Sequence, residues 1–265
     1  MQDLRISLVQ GETRWHDPAG NRDYYGGLIA PLAGQSDLVI LPETFTSGFS
    51  NDAIDQAEGM DGATVAWIRE QAATLGAAVT GSVQLRTDEG VFNRLLFATP
   101  DGELQYYDKR HLFRYANEHK RYAAGSNRLT LEWKGWRINP LVCYDLRFPV
   151  FARNRYDVER AGQLDFDLQL FVANWPAPRA YAWKTLLRAR AIENLCYVAA
   201  VNRAGTDGNG HVYSGDSAVI DFLGQPVMEL PAGEGVATTT ISAEALVAHR
   251  EKFPAMLDAD RFELR

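Results

Sequence analysis

The amino-acid sequence predicts an α/β fold of two sheets, each faced on its outer side by helices. Strand-like and helix-like segments alternate in two similar rounds, the first over roughly residues 4–85 and the second over roughly 133–241. Several of the strand-like segments are short, unbroken apolar runs, the pattern of a sheet covered on both faces. Those runs end in polar residues, and strand ends are where α/β sheets place their ligand sites.

The first round opens with residues 4–10, whose alternation reads as a strand. Asp17-Pro18 then supplies an N-cap followed by a first-turn proline, and Tyr25, Leu28, Ile29 and Leu32 share one helical face that Gly34 and Ser36 terminate. Residues 37–43 are a buried strand stopped by Pro42, with Glu43 directly beyond it. Residues 44–61 are small and polar and are expected to form a surface loop beside that strand end. Val65, Ile68, Ala72 and Leu75 mark a second amphipathic helix closed by Gly76. Residues 77–85 and 92–98 are strands separated by a turn at 87–90. Pro100-Asp101-Gly102 is a hairpin signal that leads into residues 104–107 and then 108–113. Residues 114–125 are polar and predict a loop with a helical turn.

The second round begins with two strand pieces over residues 133–142, joined at Lys134-Gly135 and ending at Cys143. An arginine-rich helix is expected over residues 148–157, then a strand over 166–175 that ends in a polar residue and Trp175. Residues 181–194 carry Trp183, Leu186, Leu187 and Ala191 at helical spacing, the clearest helical pattern in the chain. Strands at 197–202, 217–221 and 238–241 follow, then a terminal helix and tail over 243–265. No linker or low-complexity block interrupts the 265 residues, so one domain over 1–265 is expected.

Composition narrows the function. A formal net charge of −7 with dispersed lysines and arginines argues against non-specific binding to nucleic acid or anionic membranes. Residues 1–6 lack the apolar core and cleavage site of a signal peptide, and no run approaches the ~18 apolar residues of a membrane span. Two cysteines, Cys143 and Cys196, are too few for a disulfide scaffold, so a cytoplasmic location is expected. The five histidines show no metal-ligand spacing, and Gly205 to Gly210 lacks the lysine and hydroxyl of a phosphate loop and reads as a surface turn. No cofactor and no metal are implied.

Three strand-end residues stand out: Glu43, Lys109 and Cys143. A cysteine where a buried strand meets a turn is either structural or nucleophilic. A free thiol has a pKa near ~8.5 and is a weak nucleophile at neutral pH until a base or cation activates it. A carboxylate beside it can take the thiol proton and return it to a leaving amine, and an ammonium can stabilise a developing oxyanion. Together the three residue types suit acyl transfer to Cys143 followed by hydrolysis.

The chain resembles the nitrilase superfamily of carbon–nitrogen hydrolases over nearly its whole length. The resemblance is carried by Leu38-Val39-Ile40-Leu41-Pro42-Glu43 with Gly48-Phe49, by Tyr107-Asp108-Lys109-Arg110-His111-Leu112-Phe113, and by Leu141-Val142-Cys143-Tyr144-Asp145-Leu146-Arg147-Phe148-Pro149. It implies a four-layer α-β-β-α sandwich and a triad of Glu43 as general base and acid, Lys109 as oxyanion partner and Cys143 as nucleophile. The backbone N–H of Tyr144 would complete the oxyanion hole, and Glu118 matches a second glutamate that positions substrate. The resemblance also implies a homodimer or higher homo-oligomer, with residues 243–265 at an interface.

The Cys143-to-Pro149 turn, the Arg188-to-Asn194 stretch and Tyr197-Val198-Ala199 look like the omega-amidase branch. Its substrates are short dicarboxylate monoamides such as 2-oxoglutaramate and 2-oxosuccinamate, released as ammonia and the 2-oxo acid. Their free carboxylate needs a cationic clamp, for which Arg147 and Arg179 are candidates, with Trp175 as a pocket wall. Arg188 and Arg190 are expected to brace helix and strand ends through ion pairs, and Cys196 to be structural. Two other readings remain open: the same triad acting on a nitrile, an N-carbamoyl amine or an aliphatic amide, and a non-catalytic scaffold with this fold.

Overall fold

The computed structural model of the chain describes residues 1–157 and 163–264. The first half runs β1 (Leu4–Gln10), α1 (Pro18–Ile29), β2 (Leu38–Ile40), α2 (Ala63–Leu75), β3 (Ala78–Thr87), β4 (Gly90–Ala98) and β5 (Leu104–Asp108). The second half begins with β6 (Leu131–Trp133), β7 (Trp136–Val142), β8 (Tyr156–Asp157), β9 (Gln163–Leu164), β10 (Leu168–Ala173), α3 (Ala180–Asn194) and β11 (Tyr197–Asn202). It ends with β12 (Ala204–Thr206), β13 (Val212–Ser214), β14 (Ala218–Ile220), β15 (Pro226–Glu229), β16 (Gly235–Ile241) and α4 (Ala243–Lys252).

Two six-stranded sheets result, in the orders β16-β1-β2-β3-β4-β5 and β15-β14-β11-β10-β7-β6. In each, parallel strands lie at the centre: β1 with β2 and β2 with β3, then β7 with β10 and β10 with β11. Strand β16 returns to pair antiparallel with β1, setting Ile241 opposite Leu4 and joining the two ends of the chain.

The two-residue period of a strand sorts side chains into layers. Leu4, Ile6 and Leu8 of β1, Leu38 and Ile40 of β2, and Leu95 and Phe97 of β4 share one apolar cluster with Ile138 of β7 and Leu168 and Leu170 of β10. Their neighbours Val9, Val39, Leu41 and Leu96 turn to the opposite face and pack with Ile29 of α1 and with Val65, Ile68, Ala72 and Leu75 of α2. On the other sheet, Trp183, Leu187 and Ala191 of α3 cover the outer face. Truncating a fully buried anchor such as Trp183 to alanine costs about 3–5 kcal/mol. The order helix, sheet, sheet, helix is the four-layer sandwich.

Helix caps follow the local chemistry. The Asp17 carboxylate accepts the Gly20 N–H at the start of α1, and Gly76 takes the left-handed conformation (φ 63°) that ends α2. Helix α4 packs against the core: Leu246 is buried, and Arg250 donates to the Leu195 and Phe166 carbonyls and to Asp167. Phe253 and Leu257 beyond it are exposed; the last residue of the expected tail, Arg265, lies outside the described residues.

Several expectations are corrected. Residues 148–157 form no helix but a turn that leads into β8. Their backbone is held by side chains instead of a helical ladder: Asn194 Oδ1 accepts the Asn154 N–H at 2.9 Å, and Asn154 Nδ2 donates to the Phe166 carbonyl at 2.8 Å. Only the later part of the expected surface loop is at the surface: Asp52, Asp55, Gln56, Met60 and Asp61 are exposed, whereas Thr44, Phe45, Thr46, Ser47 and Ser50 are all buried. The surface turn expected at Gly205 to Gly210 is present as the tip of the β12–β13 hairpin, with Gly208, Asn209 and Gly210 exposed, and the hairpin borders a cavity. Strand β15 was not foreseen; Arg188 of α3 pairs with its Glu229 at 2.6 Å.

Candidate active site

The C-terminal ends of β2, β7 and β10 and the segment after β5 converge on one cavity of about 610 Å³. Its floor contains Glu43, Lys109, Cys143 and Asn174. Its walls include Phe49, Phe113, Tyr144 and Trp175, and Arg147, Arg179 and the β12–β13 hairpin stand at its sides.

Glu43 follows β2 and is fully buried. Its Oε1 accepts from Lys109 Nζ at 2.9 Å and from Asn93 Nδ2 at 2.8 Å, and its Oε2 accepts the Asn174 backbone N–H at 2.7 Å. The Asn174 side chain grips the same segment, donating to the Glu43 carbonyl at 2.7 Å and to Thr44 Oγ1 at 2.9 Å. The carboxylate is therefore oriented by groups from both sheets.

Lys109 is buried between two carboxylates, with Glu118 Oε1 3.0 Å from its ammonium. Burial opposes the charge on Lys109, but Glu118 and Glu43 outweigh it and hold the lysine pKa well above its ordinary value. The lysine is thus an ammonium throughout the neutral range. For Glu118, burial pushes the carboxyl up, and Lys109 offsets part of that rise. Its Oε2 accepts the Phe113 N–H at 2.5 Å, so Glu118 also fixes the residue whose ring walls the cavity.

Cys143 begins a short 3-10 turn, Cys143–Arg147, directly after β7, and takes φ 43°, left-handed backbone that a non-glycine residue adopts only under constraint. The residue is partly exposed to the cavity, and its sulfur lies 3.9 Å from the Asn174 carbonyl. Burial and the neighbouring Glu43 carboxylate push the thiol pKa well above its ordinary value, against the opposing pull of Lys109. The thiol is thus held toward its protonated form, and to act as a nucleophile it would need a base to take its proton. Tyr144, second in the turn, has a backbone N–H with no acceptor inside the turn, as helix starts dictate.

Both arginines singled out from the sequence reach the cavity. The Arg147 guanidinium lies 4.8 Å from the Trp175 ring centre and that of Arg179 lies 5.4 Å from the Phe113 ring centre. Among the described residues no carboxylate lies within 4.0 Å of either. Trp175 is held by its indole N–H to the Arg179 carbonyl at 2.9 Å and by its backbone N–H to Asn202 Oδ1 at 2.7 Å. Arg190 is not only an ion-pair brace: besides Glu193 it reaches the Leu146 carbonyl, within the Cys143 turn, at 2.6 Å. Cys196 is fully buried away from the cavity lining.

Sequence reasoning missed Asn93 and Asn174. Asn174 follows β10 as Glu43 follows β2, so the strand-end signal was present. Asn93 lies two residues before Leu95, on the face of β4 that it shares with the apolar Leu95 and Phe97, where a polar residue needs a buried partner. Among the described residues no group of three His, Cys, Asp or Glu side chains is placed to hold a metal ion, and no helix is long and apolar enough to cross a membrane.

A buried carboxylate, an ammonium and a thiol thus share one cavity between two helix-covered sheets, and the class of protein is that of enzymes hydrolysing carbon–nitrogen bonds other than peptide bonds. The chain belongs to the carbon–nitrogen hydrolase family, whose model matches residues 5–251. It is omega-amidase-like in sequence, 45% identical over 265 residues to the omega-amidase YafV of Yersinia enterocolitica, with all of both chains covered. It is 32% identical to the 2-oxoglutaramate amidase of Bacillus subtilis over 256 residues, 96% of each chain. A CN-hydrolase superfamily protein from Xanthomonas campestris, solved with an arsenic adduct in its active site, shares 80% identity and a TM-score of 0.99 over the whole of both chains.

Proposed function

We propose that this amidase hydrolyses the terminal amide of short dicarboxylate monoamides, 2-oxoglutaramate and 2-oxosuccinamate among them, to the 2-oxo acid and ammonia. The observation that carries the reading is the pairing, in one cavity, of the Glu43–Lys109–Cys143 cluster with two arginines free of carboxylate partners among the described residues. The relatives named for omega-amidase and 2-oxoglutaramate amidase activity support the same substrate class.

In the first half of the cycle Glu43 takes the Cys143 proton as the sulfur attacks the amide carbon. The oxyanion forms against Lys109 and the Tyr144 N–H. Glu43 then protonates the departing nitrogen, ammonia leaves, and the acyl group stays on Cys143 as a thioester. In the second half Glu43 takes a proton from water, hydroxide adds to the thioester carbonyl, and the acid leaves as Glu43 returns the proton to sulfur. Glu118 keeps Lys109 charged and in place. Removing a donor to the oxyanion, as in Lys109→Met, costs a factor of about 10²–10³ in kcat.

The substrate carboxylate is taken by Arg179 or Arg147, with Trp175 and Phe113 as the flanking walls. The reading carries with it a single catalytic domain over residues 1–265 and a cytoplasmic location, in keeping with the two free thiols. It also carries a homodimer or higher homo-oligomer, to which the exposed Phe253 and Leu257 of the tail would contribute.

The test is ammonia release from a panel of carboxylate-bearing amides, uncharged aliphatic amides, nitriles and N-carbamoyl amines. A kcat/KM for 2-oxoglutaramate or 2-oxosuccinamate well above that for the uncharged amides supports the proposal. A preference for uncharged amides, nitriles or N-carbamoyl amines overturns it.

A further inference from the structure

We propose that Asp145 is a positioning residue that holds the Lys109 segment in register with the Cys143 turn. The inference rests on the reading of Lys109 and Cys143 as catalytic.

Asp145 lies two residues after Cys143 and is fully buried. Its Oδ2 accepts the Val142 N–H at 3.0 Å and the Tyr107 hydroxyl at 2.8 Å. Its Oδ1 accepts the His111 backbone N–H at 2.9 Å and lies 2.7 Å from His111 Nδ1. Val142 ends β7 of one sheet, whereas Tyr107 and His111 flank Lys109 at the end of β5 in the other. One carboxylate thus grips the chain immediately before the thiol and the chain on both sides of the ammonium.

The arrangement is over-determined around it. The Tyr107 oxygen also accepts the Arg110 N–H at 3.1 Å, so the phenol closes a loop that contains Lys109. The His111 ring stacks on Phe148, at the far end of the Cys143 turn, with centroids 3.7 Å apart and an interplanar angle of 5°. Such anchoring on both sides suits a turn that must hold Cys143 at φ 43°. A carboxylate that only filled space here would not need partners from both catalytic segments. An asparagine keeps its size but turns an amide N–H₂ toward the two partners of one of the carboxylate oxygens.

The experiment compares wild type, Asp145→Asn, Tyr107→Phe and the double variant in three measurements. These are steady-state kinetics with the best amide of the panel, thermal melting, and the rate of Cys143 alkylation by iodoacetamide read by intact mass. Both single variants are expected to lower kcat by about tenfold or more while KM changes by less than about twofold, because geometry and not substrate contact is lost. Alkylation slows in both as the thiol moves off its place beside Glu43. The double variant is no slower than the slower single variant, since both act through one contact.

Folded single variants with wild-type kcat and alkylation rates overturn the proposal, as do effects that multiply in the double variant or fall mainly on KM. Tyr107→Phe removes one hydroxyl and keeps the test decisive if Asp145→Asn does not fold. The alkylation rate needs no substrate, so failure of the substrate assignment is told apart from failure of this inference.

Discussion

Asn174 and Glu43 hold each other across the two sheets. The Asn174 backbone N–H meets Glu43 Oε2 at 2.7 Å, and its side-chain amide meets the Glu43 main-chain carbonyl at the same distance. Residues 131 positions apart are thereby locked so that the carboxylate, the lysine and the thiol share one cavity floor.

Replacing Asn174 by alanine keeps the backbone contact but frees the Glu43 carbonyl and the Thr44 hydroxyl. A misplaced base of this kind lowers kcat by a factor of about 10–100. Steady-state kinetics beside a melting curve check this: a folded variant with undiminished kcat contradicts it.

Arg179→Ala and Arg147→Ala separate the two candidate clamps. Loss of the true carboxylate partner raises KM for a carboxylate-bearing amide by about tenfold or more, equivalent to ~1.5–3 kcal/mol. It leaves a short uncharged amide nearly unaffected. Kinetics on both substrates assign the role, and equal losses on the two contradict a clamp at that arginine.

The raised Cys143 thiol has a consequence for pH. Burial and Glu43 hold its pKa well above that of a free thiol, so little thiolate is expected at neutral pH in the free enzyme. Alkylation by iodoacetamide should climb with pH by up to about tenfold per unit and reach no plateau between about pH 7 and about pH 9.5. A plateau near neutrality would show a preformed thiolate and remove the need for Glu43 as the base.

Stability should depend on Asp37, where Arg5 of β1 and Lys134 of the β6–β7 turn meet one carboxylate. Burial opposes its charge, yet the two cations win and depress its pKa. A depressed carboxyl stabilises the fold fully above its unfolded value, and the contribution is lost as pH falls through the folded one. Asp37→Asn should therefore lower stability at pH 7 by about 1–3 kcal/mol. The gap from wild type should narrow below about pH 4. Urea unfolding at several pH values measures it, and a gap that persists unchanged in acid contradicts the pairing.

The layers and much of the site were legible in the sequence because both rest on local patterns. Strand period placed Leu38 and Ile40 on one face and Val39 and Leu41 on the other, and Glu43, Lys109 and Cys143 each followed an apolar run. Asn174 did so too, but a polar strand end is common and its partner lies on the other sheet. Asp145 stood within the Cys143 motif, yet its role exists only once Tyr107 and His111 are folded against it. The 148–157 segment read as a helix because composition does not reveal that Asn154 and Asn194 claim its backbone. The surface turn at 205–210 was legible, but that its Asp207 lines the cavity was not, since this depends on how the hairpin sits over strand ends distant in sequence.

Acyl transfer to Cys143 is tested most directly by acid-quenching the enzyme during turnover of 2-oxoglutaramate and mapping the adduct by mass. The expected result is a gain equal to the substrate less ammonia on the peptide that contains Cys143, with neither adduct nor ammonia release in a folded Cys143→Ala variant. Turnover that persists in Cys143→Ala would contradict it.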